Sequence, residues 1–194
     1  MAIFAAMRLL EADGRLTEPV RILLGAVSGV EDELLRRVQV LPKHRNWLHF
    51  PWYAAAKGGG AFVMGDRIYA HQRFFLDAFT IHFLYLLAHE VGHLPHAARF
   101  GHTAFGRMRF VCWATGHYLR SALRNGWHAH RLARIEQEAE RGRWVLAELR
   151  QTTMADPPFT HLDDPARMVS WTSRHRVLLA ELHRRYPGWP LDQR

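Results

Sequence analysis

The sequence predicts an α+β chain, mainly helical, with a small and mostly antiparallel sheet. Two observations lead there. Short β-rich runs cluster between Arg37 and Ala70, and helical periodicity dominates from Thr80 onward. Hydrophobic residues make up 48% of the 194 and aromatics 12%, enough to bury a core and too many for a disordered chain. Residues 1–194 read as one domain.

In chain order, Ala2 to Glu11 reads as a short helix ended by Gly14. Thr17-Glu18-Pro19 resembles a helix start, with Thr17 as N-cap and proline in the first turn, and Val20 to Val27 follows, closed by Ser28-Gly29. Arg37 to Leu41 alternates polar and apolar, as a strand does, and Pro42 stops it. Lys43 to Lys57 is an aromatic-rich loop carrying Trp47, Phe50, Trp52 and Tyr53. Ala61–Met64 and Arg67–Ala70 flank Gly65-Asp66, a hairpin signal. An apolar helix from Asp77 or Thr80 runs through Val91, and Pro95 ends or kinks it near Leu94. Further helices are expected over Phe105–Arg124, His130–Arg150 and Arg167–Tyr186.

The net charge is +8, and only Lys43 and Lys57 are lysines, so arginine supplies most of the positive charge. The arginines are scattered rather than gathered in a stripe with interleaved aromatics, which disfavours nucleic acid as the partner. The one cysteine, Cys112, excludes an intramolecular disulfide and a cysteine-based zinc ribbon; within Phe110-Val111-Cys112-Trp113 it reads as a core residue. No stretch approaches 18 apolar residues and no secretory signal is recognisable, so the expectation is a cytoplasmic protein with no membrane span, signal-independent export remaining open.

The chemistry centres on His89-Glu90-Val91-Gly92-His93. Residues four apart on a helix lie one turn apart on one side, so both imidazoles can reach one zinc ion. Glu90 projects beside them, where a carboxylate can act as general base toward a water activated by the metal. A glycine at position 96 and a histidine at position 99 would mark one well-known class of such sites, but His96 and Arg99 stand there. The third ligand is therefore sought among distant residues. Glu136, Glu138 and Glu140 lie on the helix whose apolar stripe is Leu132, Ile135, Ala139, Gly142, Val145, Leu146 and Leu149. Glu138 falls about 60° from the stripe's centre, Glu136 about 100° and Glu140 about 140°. Glu138 is thus expected to face the core, and the small Ala139 and Gly142 to let this helix approach the His89 helix closely. His82, His96, His102, His117, His128, His130 and Tyr118 are candidates for stabilising an oxyanion, with no ranking among them. A hairpin near such a metal can also bind extended peptide by strand addition.

Three segments together resemble a family. Gly-Ala-Phe-Val-Met-Gly-Asp-Arg-Ile-Tyr (60–69), Leu-Leu-Ala-His-Glu-Val-Gly-His-Leu-Pro (86–95) and Glu-Gln-Glu-Ala-Glu-Arg-Gly-Arg (136–143) are similar to those of bacterial minimal zincin-like metallopeptidases. Val38-Gln39-Val40 resembles the strand that precedes the hairpin there. The resemblance covers about Gly25 to Leu149 and leaves a C-terminal helical extension, about 156–194, without a counterpart. It implies a gluzincin-type site with His89, His93 and Glu138 on Zn2+ and Glu90 as base. His96 departs from the pattern, where many relatives carry Gln. The resulting expectation is a zinc metallopeptidase cleaving peptide or protein substrates. The alternatives are a catalytically inactive zincin-like binding module of a secretion or toxin system, and a basic nucleic-acid-associated protein with structural zinc. Glu90 argues against the inactive module, since a structural site needs no base beside its ligands.

Overall fold

A computed structural model describes residues 9–43, 60–76 and 80–186. The architecture is α+β: helices α1 (Glu18–Ser28) and α2 (Asp32–Arg37), strands β1 (Gln39–Pro42), β2 (Ala61–Met64) and β3 (Arg67–Ala70), then helices over the rest of the described residues. The later helices are α3 (Thr80–Glu90), α4 (Leu94–Ala98), α5 (Ala104–Asn125), α6 (Ala129–Leu132), α7 (Arg134–Thr152), α8 (Pro165–Arg174) and α9 (Arg176–Arg185).

The sheet is mixed rather than mainly antiparallel. Its order is β1-β3-β2, with β1 parallel to β3 and β2 antiparallel to β3. The hairpin forms where the sequence placed it, with Val63 opposite Ile68 and Gly65 at φ 68°. A glycine at the first turn position supplies the positive φ that matches the strands' twist. The parallel partner arises because β1 enters from α2, a helix the periodicity did not reveal, and aligns Val40 with Ile68.

Helix α7 lies at the centre of the helical layer, packed on α1, α3 and α9, while α8 packs on α1. Leu23, Leu24 and Val27 of α1, Leu84 and Leu87 of α3, Val145, Leu146 and Leu149 of α7, and Met168 and Trp171 of α8 are all buried in one cluster. Burying each such side chain contributes about 1.5–3 kcal/mol. The closeness of α3 and α7 depends on missing side chains. A Cβ on Gly142 would come within 2.2 Å of the Ala88 carbonyl oxygen, and one on Gly92 within 2.6 Å of the Ala139 Cα. The expected role of Gly142 in this approach is met.

Several boundaries differ from expectation, each for a local reason. The α-helix expected to end or kink near Leu94 is interrupted slightly earlier, after Glu90. A 3-10 turn over Val91–His93 joins α3 to α4, with Pro95 in the first turn of α4 where its missing N–H costs little. The helix expected over 130–150 is broken at Ala133, whose backbone is extended (φ −64°, ψ 132°). The last helix is broken at His175, whose ring Nδ1 lies 2.9 Å from the Trp171 carbonyl oxygen. The Ala2–Glu11 helix lies mostly outside the described residues, and its end is not helical: Leu10 forms a β-bridge with Leu16. The aromatic loop from residue 44 to 57 also lies outside them. Cys112 is exposed, not core. Four consecutive apolar residues on a helix spread around its circumference, and here Phe110 alone of the four is buried. Among the described residues no helix is long and apolar enough to cross a membrane.

Candidate metal centre

His89 occupies the last turn of α3, and His93 ends the 3-10 turn that follows. The motif is anchored by its apolar neighbours: Leu87, Ala88 and Val91 are fully buried, and Leu94 nearly so. The His89 and His93 rings meet edge to face, with centroids 5.1 Å apart. Their Nε2 atoms lie 3.2 Å and 3.6 Å from the two carboxylate oxygens of Glu136. His89, His93 and Glu136 each offer a ligand atom, and all three atoms lie within 4.8 Å of one another.

Among the described residues the carboxylate that converges with the two imidazoles is that of Glu136, where the sequence pointed to Glu138. Glu138 is buried, as expected, but it turns to a different partner. Its carboxylate lies 3.0 Å from His96 Nε2 and accepts a hydrogen bond from Arg134 Nε at 2.8 Å. The apolar stripe misled because it averaged over the whole of α7. Helix α7 packs on α1, α3, α9 and the 3-10 turn over Val91–His93, so no single stripe describes its buried surface. Ala139 and Gly142 mark the side that touches α3. Counting back three residues from Ala139 gives Glu136 on that same side; Glu138 lies one residue away, about 100° around the helix. The small residues of α7 mark a direction as well as permitting close packing.

Two further groups orient Glu136. Tyr118 of α5 donates a short hydrogen bond to Oε1, and His130 Nε2 of α6 lies 3.7 Å from the same oxygen. The Tyr118 and His130 rings stack with centroids 5.3 Å apart. The bend at Ala133 brings His130 here. Behind His89, Nδ1 faces Glu140 Oε1 at 3.5 Å, and Glu140 is itself held by Arg143 at 2.6 Å. A carboxylate on the far nitrogen favours the tautomer that leaves Nε2 free to bind a metal.

Burial and charge shift the protonation of this cluster. Burial pushes Glu90 up to about 7, and Glu136 and Glu140 add to this against the opposing pull of His89 and Lys43. Burial lowers His93 to about 3 against the attraction of Glu136, so its ring is neutral. Burial alone would raise Glu136, but the hydrogen-bonded His89 and the nearby His93 and His130 lower it to about 2. For His89, burial opposes the charged form, and the bonded Glu136 together with Glu90 and Glu140 outweighs it and raises the pKa.

These residues form one wall of a cavity of about 450 Å³. His89, Glu90, His93, His130 and Glu136 line it together with residues of β2 and of α5, Tyr118 among them. The hairpin thus lies beside the motif, as expected. Of the other candidate histidines, His96 faces Glu138, His117 packs on Trp113, His102 contacts Arg37 and Asp66, and His82 and His128 are exposed. The donor set itself fits zinc: two imidazoles, at least one held neutral, and one ionised carboxylate. Compared with known proteins, the chain matches no family model, no curated protein and no solved structure.

Proposed function

We propose that this chain is a zinc-dependent hydrolase of peptide bonds, with His89, His93 and Glu136 as metal ligands and Glu90 as general base. One observation carries the reading: a His-His-Glu cluster converges beside a buried glutamate in the wall of a single cavity. His89, His93 and Glu136 would hold the ion, which when bound would supply Lewis-acid activation of a water molecule. Glu90 lines the same cavity and is placed to take a proton from water and, once protonated, give it to the leaving amine. His130 adds a ring nitrogen to the same lining, suited to the charge that develops on a substrate carbonyl oxygen, while the Tyr118 O–H is taken up by Glu136. Glu140 and Arg143 hold the His89 ring in place from behind. The zincin-like family assignment belongs to this proposal and rests on the three sequence segments together with the strand-before-helix order.

The test is hydrolysis of a denatured protein and a mixed peptide pool by zinc-loaded protein, with fragments read by mass spectrometry. Cleavage is expected, removable by a chelator and restored by zinc. Glu90→Gln should retain the metal and lose about 10² or more in rate, the size of a lost general base. Undiminished turnover in that variant, or no cleavage of any substrate, would contradict the proposal.

A further inference from the structure

Helix α5 carries an apolar stripe that the described residues leave uncovered. At about 100° per residue, Phe105, Met108, Cys112, Leu119 and Leu123 fall within about 60° of arc. Phe105 is 73% exposed, Met108 42%, Leu119 62% and Leu123 91%, and Cys112 is exposed as well. The buried residues of the helix, Gly106, Phe110 and Ser121, lie on its other side. From Phe105 to Leu123 the stripe runs about 27 Å, or about five turns. Of its five residues Leu119 alone also lines the cavity, so the stripe is an outer surface and not part of the metal centre. Single apolar residues are ordinary on a surface, but a row of large ones along one helix marks a contact.

The charges beside the stripe are of one sign. Ala104–Asn125 holds four arginines and no acidic residue. Arg107 is paired with Asp66. Arg109, Arg120 and Arg124 follow one edge of the stripe within about the next 100° of arc. Among the described residues none of these three meets a carboxylate. Arg109 is held at the edge, its guanidinium over the Phe100 and Phe105 rings at 5.8 and 5.9 Å from their centroids.

These charges choose among occupants. A second copy laid antiparallel on α5 would set its Arg109 level with Arg120, and like charges across an interface are unfavourable. An anionic membrane would answer the arginines, but it rewards bulky apolar groups along the whole stripe. Here the middle is shallow: Cys112 and Gly116 stand there, and a Cβ on Gly116 would meet nothing within 4 Å. A rod-shaped partner fits that shallow middle between the large residues at each end.

We propose that α5 is a docking surface for an acidic amphipathic helix of a partner protein. Its apolar side lies against Phe105, Met108, Leu119 and Leu123, and its carboxylates meet Arg109, Arg120 and Arg124. The apolar contacts supply affinity, and guanidinium–carboxylate pairs along one edge fix how the helix lies. This inference does not depend on the hydrolase reading.

The probe is a fluorescein-labelled helical peptide of about 18 residues, the length of the stripe, with leucines along one side and glutamates beside them. One control replaces its glutamates with lysines, and another scatters the same leucines around the helix. By fluorescence anisotropy with the full chain, the acidic amphipathic peptide should bind at least ten-fold tighter than either control. Leu123→Ser should weaken binding about ten-fold or more and leave the urea midpoint unchanged. Arg120→Glu combined with Arg124→Glu should also weaken it about ten-fold and improve binding of the lysine peptide. The same charge change on α9, Arg176→Glu with Arg184→Glu, should leave binding within about two-fold, which separates docking on α5 from attraction to a basic chain. Equal binding of the acidic and lysine peptides, or equal effects of the α5 and α9 variants, would overturn the inference. So would binding to phosphatidylserine vesicles but to no peptide, which assigns the stripe to a membrane. Concentration-dependent dimerisation that Leu123→Ser abolishes would overturn it too, in favour of a second copy.

Discussion

His89 and Glu136 face each other across the contact between α3 and α7, with Nε2 and Oε2 3.2 Å apart. They are 47 residues apart in sequence, and the relationship exists because two glycines let the backbones close. Gly142→Ala tests this dependence. Its Cβ would sit 2.2 Å from the Ala88 carbonyl oxygen, a backbone atom that cannot swing aside. The helices must separate, so stability should fall by about 1–3 kcal/mol, the usual cost of overpacking. Zinc affinity should fall with it. Urea unfolding and a zinc titration check this; unchanged affinity would mean the site does not depend on the close approach.

Glu138→Gln separates structure from metal binding. Glu138 is buried against His96 and Arg134 rather than against His89 and His93. Loss of its charge should destabilise the fold by about 1–3 kcal/mol, because a buried hydrogen-bonding arrangement loses its ionic acceptor. Zinc stoichiometry should stay the same. Urea midpoints and metal analysis on the same sample decide it.

Metal-free protein should lose stability steeply in acid. Glu136 has a folded-state pKa of about 2 against an ordinary 4.5, so its contribution is present above pH 4.5 and lost as the pH falls toward 2. His93, at about 3 against 6.5, holds its proton less tightly when folded, and its contribution is lost as the pH falls from 6.5 toward 3. Glu90 acts oppositely: at about 7 against 4.5, it stabilises below pH 4.5 and loses that as the pH rises through 7. Between about pH 6.5 and 4.5 Glu90 and His93 offset each other; below 4.5 Glu136 and His93 act together. Urea midpoints of chelator-treated protein should therefore change little in the first interval and drop in the second. A midpoint that rises below pH 4.5 would contradict these protonation states.

Much of this was legible in the sequence because it is local. The hairpin could be read from Gly65-Asp66 between two β-rich runs, and the histidine helix from its spacing and apolar lead-in. α5 emerged within a residue at each end. What was missed depends on partners. The parallel pairing of Val40 with Ile68 is a long-range choice that alternation within β1 does not encode. The choice between Glu136 and Glu138 depends on which neighbour each turn of α7 meets. One helix packs against α1, α3 and α9 along its length, so a single averaged stripe has no single meaning. The exposure of Cys112 shows the same limit, since apolar content in a short window does not tell which side of a helix is covered.

The most direct test of the central claim is metal content and affinity across Glu136, Glu138 and Glu140 of α7. Purified protein supplemented with zinc should carry about one ion per chain. Glu136→Gln should reduce zinc affinity by well over ten-fold, as loss of one of three protein ligands requires, while Glu138→Gln leaves it within a few-fold. Glu140→Gln should fall between them, in the 10–100-fold range of a group that orients a ligand. Loss of zinc on changing Glu138 with none on changing Glu136, or no zinc bound by the unaltered chain, would contradict the site as described.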